Sequence, residues 1–390
     1  MPTMHHKSRR AVVLGAVALT ASLAACSAGE EAAQPAKPAS TAAARYATPL
    51  ADVCPSTVSL QLPWWPQSEY GWAYQLIGPG GVADPETYRY TGPLGNTGVD
   101  LEIRSGGPAL GGELPLATLY KDDDVLLGQT TTEDSIAGAA EHPSVSVFTF
   151  EQKSPLVFFW GADDWDFQTI SDIRDAGVTL QAFEGATYLD VLTAKGLLEP
   201  GQIDGGYDGT PARFVAEDGR IVSQGIITSE VYSYEHDIPA WDKPVKYVKV
   251  GDEYEAYHSE VAIRSDKLDE NRACLEKLVP LLQQAAVDYW TDPASTNQVL
   301  LDVVDAFEGA WQLSAGLNDF AVEVALKEGI VANGPDHVFG SHDPARLDRF
   351  IADVSPALAR QGIAVKEGLT SSDIATNEFL DPSIALPEQP

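Results

Sequence analysis

The stretch Leu60–Ala73, which reads LQLPWWPQSEYGWA, decides the fold. It extends the alternation of Val58–Leu62, where apolar residues at every second position indicate a β-strand with one buried face. Trp64 and Trp65 follow at the carboxyl end of this strand. Two adjacent indoles cannot both face the same core, so at least one is expected over a cleft, where it can stack on a flat or cationic ligand. Gln67 can supply amide hydrogen bonds there.

Outward from this stretch, short apolar runs alternate with helical periodicity, which is typical of an α/β protein. Further strands are predicted over 99–103, 125–127, 145–148, 156–159, 178–180, 221–222, 247–250 and 257–263. Helices are predicted after 184–187, over 275–289 with a kink at Pro280, over 317–325 with its end at Gly329, and after the capping pair Asp343-Pro344. Residues 78–98, rich in Gly, Pro and Thr, are predicted to be irregular.

Composition excludes several classes of protein. The 390 residues carry 25 Lys and Arg against 57 Asp and Glu, for a formal net charge of −32. Binding to nucleic acid or to an anionic membrane draws on clustered basic residues, so neither is expected as a partner. An apolar content of 44% with 9% aromatic residues excludes a disordered chain. The length suggests two or three lobes with ample cores.

The amino-terminal residues have the pattern of a secretory signal. Lys7, Arg9 and Arg10 precede an apolar run over 11–25, and Cys26 follows. The last four residues of this pattern, LAAC, look like a bacterial lipobox, whose cysteine receives a diacylglycerol; ordinary signal cleavage beside a chance cysteine is the alternative. We therefore predict a lipoprotein signal peptide over 1–25 and a protein held through lipidated Cys26 at the outer face of the cytoplasmic membrane.

Residues 26–53 are predicted to be the lipidated cysteine and a flexible tether, because the segment is rich in Ala, Pro, Ser, Thr and Glu. The compartment outside the cytoplasmic membrane is oxidising, and only Cys54 and Cys274 remain once Cys26 is lipidated. A disulfide between them is the favoured prediction. A free catalytic thiol is the alternative, although neither cysteine has a histidine neighbour in the sequence.

Common catalytic and cofactor motifs are missing from the sequence. It has no G-x-S-x-G, H-E-x-x-H or Walker-type motif, and its histidines show no metal-ligand spacing. His258 beside Glu260 is interpreted as a pair on a strand surface. Binding without catalysis is therefore the default function, with no cofactor and no metal expected.

The order of several weak motifs resembles the family of solute-binding proteins for thiamine-pyrimidine precursors, nitrate and sulfonates, which serve ABC importers. The matching segments are 60–73, 99–107, 128–133, 151–156, 171–178, 184–187, 228–230 and 257–260, and together they span roughly residues 55–310. The resemblance implies a two-lobed α/β fold of the type II periplasmic-binding-protein class, with a mixed sheet flanked by helices in each lobe. Lobe one would comprise 51–154 plus 255–390 and lobe two 155–254, joined by two hinge crossings.

In open α/β sheets, ligands bind at the carboxyl ends of the strands, which here would face each other between the lobes. Candidate ligand-binding residues are therefore sought where predicted strands end and helices begin. They are Trp64, Trp65, Gln67, Gly106, Thr131, Thr132, Glu133, Gly185, Thr187, Glu230 and Tyr232. Structural alternatives are helix capping for Thr131, Thr132 and Glu133, a turn for Gly106 and Gln67, packing for the aromatic residues and a hinge salt bridge for Glu230. Aromatic and acidic groups favour a neutral or cationic ligand, such as an aminopyrimidine or an amine.

The function expected from these features is that of an extracytoplasmic solute-binding protein, a monomer that delivers a small organic ligand to an ABC permease without chemistry of its own. One alternative is a sensor or assembly lipoprotein with the same fold. Another is a desulfinase-like enzyme with a cysteine nucleophile, for which Cys54 lies at the wrong end of the first strand.

Overall fold

The computed structural model describes residues 45–308 and 311–387. The predicted signal peptide and Cys26 therefore lie outside the described residues. Among the described residues, no helix combines the length and the apolar character that crossing a membrane requires.

Seven strands form the first sheet. They are β1 (Thr57–Gln61), β2 (Val82–Asp84), β3 (Arg89–Pro93), β4 (Asp100–Arg104), β5 (Leu127–Thr130), β6 (Ser144–Thr149) and β12 (Glu260–Arg264), in the spatial order β2-β3-β4-β1-β5-β12-β6. Strand β1 lies at the centre and runs parallel to both β4 and β5. Strand β12 is antiparallel to its two neighbours, so the sheet is mixed.

Five strands form the second sheet. They are β7 (Leu156–Trp160), β8 (Leu180–Gln181), β9 (Ile203–Asp204), β10 (Val222–Ile226) and β11 (Lys246–Lys249), in the order β11-β7-β10-β8-β9. Strand β7 is antiparallel to β10 and β11, whereas β8 is parallel to β9 and β10. The chain thus enters the second sheet after β6 and returns to the first sheet at β12. The prediction of an α/β fold with two mixed sheets is confirmed.

Helices flank both sheets. They are α1 (Gly71–Ile77), α2 (Pro115–Lys121), α3 (Thr132–Gly138), α4 (Ile170–Ala176), α5 (Thr187–Ala194), α6 (Ala212–Ala216), α7 (Glu230–His236), α8 (Arg272–Thr291), α9 (Ala294–Ala306), α10 (Ala315–Lys327), α11 (Pro344–Arg360) and α12 (Ser371–Ile374). Helix α8 continues through Pro280 as one helix. Helix α11 begins as predicted, with Asp343 capping its first turn and Pro344 at the first helical position.

Part of the predicted tether belongs to the folded core. The sequence predicts flexible chain up to residue 53, but Tyr46 and Leu50 are fully buried. The Tyr46 hydroxyl donates a hydrogen bond to Asp288 on α8 at 2.9 Å. The disulfide between Cys54 and Cys274 is present, as predicted, and also fastens this segment to α8.

Residues 78–98 are more regular than their composition indicates. Strands β2 and β3 form an antiparallel pair, and β3 extends the edge of the first sheet against β4. Gly81 and Gly92 allow this pairing, because a Cβ at Gly92 would lie 2.9 Å from the Cα of Gly81. The prediction of an irregular segment is wrong, since glycines here serve close strand packing.

Arg346 of α11 contacts both segments that connect the sheets. Its guanidinium donates hydrogen bonds to the carbonyl of Gln152, which follows β6, and to those of Glu255 and Ala256, which precede β12. It also lies over the ring of Tyr257, with the guanidinium carbon 3.9 Å from the ring centroid. One side chain therefore fixes the two connections relative to each other.

Candidate functional site

A cavity of about 680 Å³ is lined by loops from both sheets. Its walls come from the turns after β1, β5 and β10, from the connections between the sheets, and from loops of the second sheet. Its polar and aromatic lining includes Trp64, Gln67, Glu69, Tyr70, Gln129, Thr131, Asp134, Glu151, Phe183, Tyr207, Asp208, Gln224, Glu230, His258 and Trp311.

The two tryptophans after β1 have different surroundings. Trp64 lines the cavity and is 37% exposed, with its ring edge-on to Trp311 at 5.9 Å between centroids. Gly107 lies beneath it: a Cβ there would come within 2.4 Å of the indole, and its φ of +58° favours glycine. Trp65 is buried against Tyr88 and does not line the cavity. The structure thus places one of the two adjacent indoles over a cleft.

Acidic side chains line this cavity from several directions. Glu69 comes from the turn before α1, Asp134 from the first turn of α3, and Glu151 from the connection after β6. Glu230 begins α7, and Asp208 stands in a loop of the second sheet. No lysine or arginine is present among the described residues that line it. The cavity is therefore acidic without a basic counter-charge.

Hydrogen bonds hold three of these carboxyls in place. Glu69 accepts one from the Thr228 hydroxyl, which joins the turn before α1 to the end of β10. The Ser259 hydroxyl donates to Glu151 at 2.9 Å. The backbone N–H of Ile226 donates to Glu230 at 2.7 Å, so the carboxyl folds back over its own turn.

Burial makes four of these five carboxyls hard to ionise; the exception is exposed Asp208, whose pKa is lowered by hydrogen bonds from Thr210. Burial raises the pKa of Glu151 to about 8, with a further contribution from the charge of Glu69, and it raises the pKa of Asp134 to about 6. It also raises the pKa of Glu69 and of Glu230 above their usual values. Removal from water disfavours the charged form of each carboxyl, so a cation in the cavity would favour ionisation.

Amide and hydroxyl groups complete the polar lining. Gln129 at the end of β5 donates to the Ser259 hydroxyl at 3.3 Å, and its amide oxygen is buried without a partner in the described structure. Gln224 on β10 accepts from the N–H of Phe183 and from the hydroxyl of Tyr188. Thr131 caps α3, since its hydroxyl accepts from the N–H of Asp134 at 3.0 Å.

His258 lines the cavity, which corrects its interpretation as a strand-surface partner of Glu260. Burial lowers the pKa of His258 to about 4, so its imidazole is neutral near pH 7. Glu260 is itself buried and contacts His342 instead, at 3.0 Å between Oε1 and Nε2. The two residues therefore have separate surroundings despite their spacing in the sequence.

The structure places four of the predicted ligand-binding residues at the cavity: Trp64, Gln67, Thr131 and Glu230. The other seven are Trp65, Gly106, Thr132, Glu133, Gly185, Thr187 and Tyr232, and none of these lines it. Gly106 has a backbone role, because a Cβ there would collide with the Leu62 carbonyl oxygen.

The polar members of this second group have other partners. Thr132 exchanges hydrogen bonds with the backbone of Tyr257. Glu133 accepts one from the Tyr254 hydroxyl. Thr187 bonds to Gln361 on the carboxyl-terminal side of α11.

Tyr232 packs on α10, with its ring 5.4 Å from that of Phe320. Gly185 has a φ of +77° in the turn before α5, and the carbonyl of Gly185 accepts a hydrogen bond from the Gln361 amide. Tyr232 therefore has the packing role that was its alternative in the sequence, and Gly185 has a backbone role in the turn before α5.

Sequence reasoning missed the acids Glu69, Asp134 and Glu151 as lining residues, as well as Tyr207 and Trp311. Each lies in a loop or at a helix start, far in sequence from the others, so no spacing pattern connects them. The signal that could have found Glu151 is its place within the predicted crossing between lobes. Within the described ranges, no group of three or more His, Cys, Asp or Glu side chains has the arrangement needed to hold a metal ion.

No protein-family model and no curated protein sequence matches this chain. Solved structures do match. The alkanesulfonate-binding protein SsuA from Xanthomonas axonopodis pv. citri, bound to MOPS, aligns with a TM-score of 0.52 at 14% identity and covers 83% of this chain and 99% of its own. The periplasmic aliphatic sulphonate binding protein SsuA from Escherichia coli aligns with a TM-score of 0.53 at 13% identity, over 86% and 95% of the two chains.

A ligand-binding component of an ABC-type import system from Staphylococcus aureus, with zinc bound, aligns with a TM-score of 0.50 at 12% identity, over 83% of this chain and 97% of its own. These similarities are of fold. The expected two-lobed fold of the type II periplasmic-binding-protein class is confirmed, with a mixed sheet flanked by helices in each lobe.

Proposed function

We propose that this protein is an extracytoplasmic solute-binding protein that captures a small, amino-bearing organic cation between its two sheets and delivers it to an ABC importer. Cys26 would carry the lipid that anchors it at the outer face of the cytoplasmic membrane. A partly aromatic ligand such as a protonated aminopyrimidine or an arylalkylamine would suit the cavity walls. No covalent step is part of the function.

The observation that carries the proposal is the charge of the cavity. Five acidic residues line it without a lysine or arginine among the described lining residues. Burying carboxylates without a counter-charge is costly, and the pKa values of the four buried ones, Glu69, Asp134, Glu151 and Glu230, are accordingly raised. A bound ammonium or amidinium group would supply the missing positive charge and donate hydrogen bonds to the carboxylates. Sulfonates, which the two SsuA proteins are named for, would add negative charge to this acidic cavity.

The aromatic lining residues support a flat or cationic ligand. Trp64 and Trp311 form one wall, and Phe183 and Tyr207, 4.9 Å apart between centroids, form another on the second sheet. Aromatic faces attract cations and stack on planar groups. The Gln129 amide oxygen, buried without a partner, can accept a hydrogen bond from an amino group.

Contacts between the two sheets supply a mechanism for capture. The Thr228–Glu69 hydrogen bond crosses from the second sheet to the first at the cavity wall. A cation bound between Glu69 and Glu230 would add a second link of the same kind. Binding would thereby favour the closed arrangement, which is the form an importer would read. Both cysteines of the folded part are joined in a disulfide, which leaves neither as a thiolate nucleophile.

Two probes that share a benzyl group and carry opposite charges test the proposal. Benzylamine and phenylmethanesulfonate are titrated into the purified protein, and the unfolding temperature is followed. Benzylamine is expected to raise it in a concentration-dependent way, and phenylmethanesulfonate is expected to leave it unchanged. The double variant Glu69→Gln/Glu230→Gln should lose the response, while a variant of exposed Glu253 to Gln should keep it. Stabilisation by the sulfonate alone would overturn the proposal.

The anchor and the transport role need separate tests. Growth of the native host with a labelled fatty acid should label the full chain, and the Cys26→Ser variant should lose the label and leave the membrane fraction. Deletion of the gene should reduce uptake of the cation identified in the titrations. Uptake that is unchanged, with the ligand still bound, would favour the sensor role over transport.

A further inference from the structure

We propose that the ligand is amphipathic, with its cationic end among the buried carboxyls and an alkyl or aryl group at the mouth of the cavity against Leu114 and Phe183. This inference rests on the proposed function and deepens it. It concerns the end of the ligand that does not contact the carboxyls, and it specifies which way round the ligand binds in the cavity.

Exposure changes in a regular way from the floor of the cavity to its mouth. Glu151 and Glu69 are only 1% and 8% exposed, so these two carboxyls lie deep, whereas the carboxyl of Asp208 on the same lining is exposed. Leu114 and Phe183, which line the same cavity, are 53% and 48% exposed, and Trp64 is 37% exposed. The cavity therefore holds buried acids at its floor, and three large apolar side chains together with Asp208 line it where it opens to water.

The clustering of exposed apolar side chains at this mouth differs from the rest of the described surface. Five large apolar residues of the described chain are exposed, and three of them, Trp64, Leu114 and Phe183, line this one cavity. Single exposed apolar residues are ordinary, but a group of them at a concave site marks a place that binds apolar material. The other two are Val82, on an edge strand, and Leu110, four residues before Leu114.

Two sides of the mouth come from different sheets. Leu114 immediately precedes α2 of the first sheet, after Gly111 and Gly112, which both have positive φ. Phe183 follows β8 of the second sheet. A substituent between them would remove apolar surface from water on both sides of the cleft at once.

Phe183 has a fixed position at the mouth. Its backbone N–H donates to Gln224 on β10 at 2.7 Å, and its ring packs on Tyr207. Its exposed face is thus held toward the cavity by contacts within its own sheet, independently of the first sheet. A held, exposed aromatic face offers a preformed surface for a ligand substituent.

The experiment uses a homologous series whose charge is constant. Primary alkylammonium ions from propyl to hexyl are titrated into the wild-type protein by calorimetry. Each added methylene that leaves water at the mouth should strengthen binding about three- to fourfold. The variants Leu114→Ser and Phe183→Ser should flatten the dependence on chain length, so that they weaken binding of hexylammonium much more than binding of propylammonium.

A matched control is available in Val82→Ser, which removes an exposed apolar side chain from β2, away from the cavity, and should leave the series unchanged. Thermal unfolding of each variant without ligand checks that it is folded. Because the mutated side chains are largely exposed, the unfolding temperatures are expected to stay close to that of the wild type.

Three results would overturn the inference, and they separate it from the proposed function. If all the ammonium ions bind equally well whatever their length, the ligand has no apolar end and the proposed function stands. If the serine variants weaken every member by the same factor, Leu114 and Phe183 contact each other on closure rather than the ligand. If none binds and phenylmethanesulfonate does, the proposed function fails and the inference fails with it.

Discussion

Replacing Glu151 with glutamine is expected to make the ligand-free protein more resistant to alkaline conditions. Glu151 is almost fully buried, and its pKa is raised to about 8 from the 4.5 of an exposed glutamate. The folded state therefore holds a proton on this carboxyl between about pH 4.5 and pH 8 that the unfolded state has already lost. Stability consequently falls as pH rises through this window, since the native state binds more protons.

The size of the effect follows from the two pKa values. One unit of pKa difference corresponds to about 1.4 kcal/mol, and integration between pH 5 and pH 9 gives a loss of about 4 kcal/mol from this group alone. Glutamine keeps the shape of the side chain and can still accept the Ser259 hydrogen bond through its amide oxygen. Its amide does not ionise in this pH range, so the stability of the E151Q variant should not show this part of the decrease with rising pH.

The assay is urea unfolding of both proteins at pH 5, 7 and 9, with Glu253→Gln as an exposed control. The free energy of unfolding of E151Q relative to the wild type should rise by about 4 kcal/mol from pH 5 to pH 9. The control should follow the wild type at every pH. Parallel curves for E151Q and the wild type would refute the view that Glu151 is held protonated by burial.

Further predictions concern the ligand, the disulfide and the connections between the sheets. A cationic ligand should release up to one proton on binding near pH 7, measured by calorimetry in buffers of different ionisation enthalpy, and E151Q should abolish most of that release. Trp64→Ala should weaken binding of benzylamine by roughly 3- to 30-fold with little change in unfolding temperature, because the indole is 37% exposed. Reduction of the Cys54–Cys274 disulfide, whose cysteines are 220 positions apart, should cost about 5 kcal/mol of unfolding free energy, and equal stability of the oxidised and reduced proteins would contradict this. Arg346→Met should lower the free energy of unfolding by about 2–4 kcal/mol, because it leaves three carbonyls without their charged donor. A decrease no larger than that of exposed Arg349→Met would show that these contacts do not stabilise the fold.

The strands of the fold were predictable because burial leaves a strong mark on a sequence. Val58–Leu62 is an alternating run and Leu156–Phe159 a continuous apolar run, and both form interior strands of their sheets. The hairpin of β2 and β3 was not, because its glycines indicate a loop when read alone. These positions require glycine because of residues that approach them only in the folded protein. A Cβ at Gly81 would come within 2.4 Å of the Tyr90 ring, a contact that the pairing of the two strands creates.

Residues of the candidate site were harder to predict, because the local sequence does not indicate whether a side chain faces the cavity or the protein interior. Thr131 and Thr132 are adjacent and of the same type, yet only Thr131 lines the cavity, while Thr132 bonds to the backbone of Tyr257. Trp64 and Trp65 differ in the same way, since only Trp64 lines the cavity and Trp65 is buried. Glu151 lies in a connection between sheets, where its burial depends on contacts such as the one from Ser259, 108 residues away.

In the proposed function, the sign of the ligand's charge depends on the side chains that line the cavity, and these can change without altering the fold. The sheets align with those of sulfonate-binding proteins, but the lining residues stand on turns after strands and at helix starts, where substitution leaves the sheet intact. At this site Glu69, Glu151 and Glu230 converge from three separate turns, and each is held by a hydrogen-bond donor rather than by a basic partner. A cluster of this kind has a cost in the empty protein that a bound cation removes. Selection for stability alone would disfavour it, so its presence argues for a positively charged ligand.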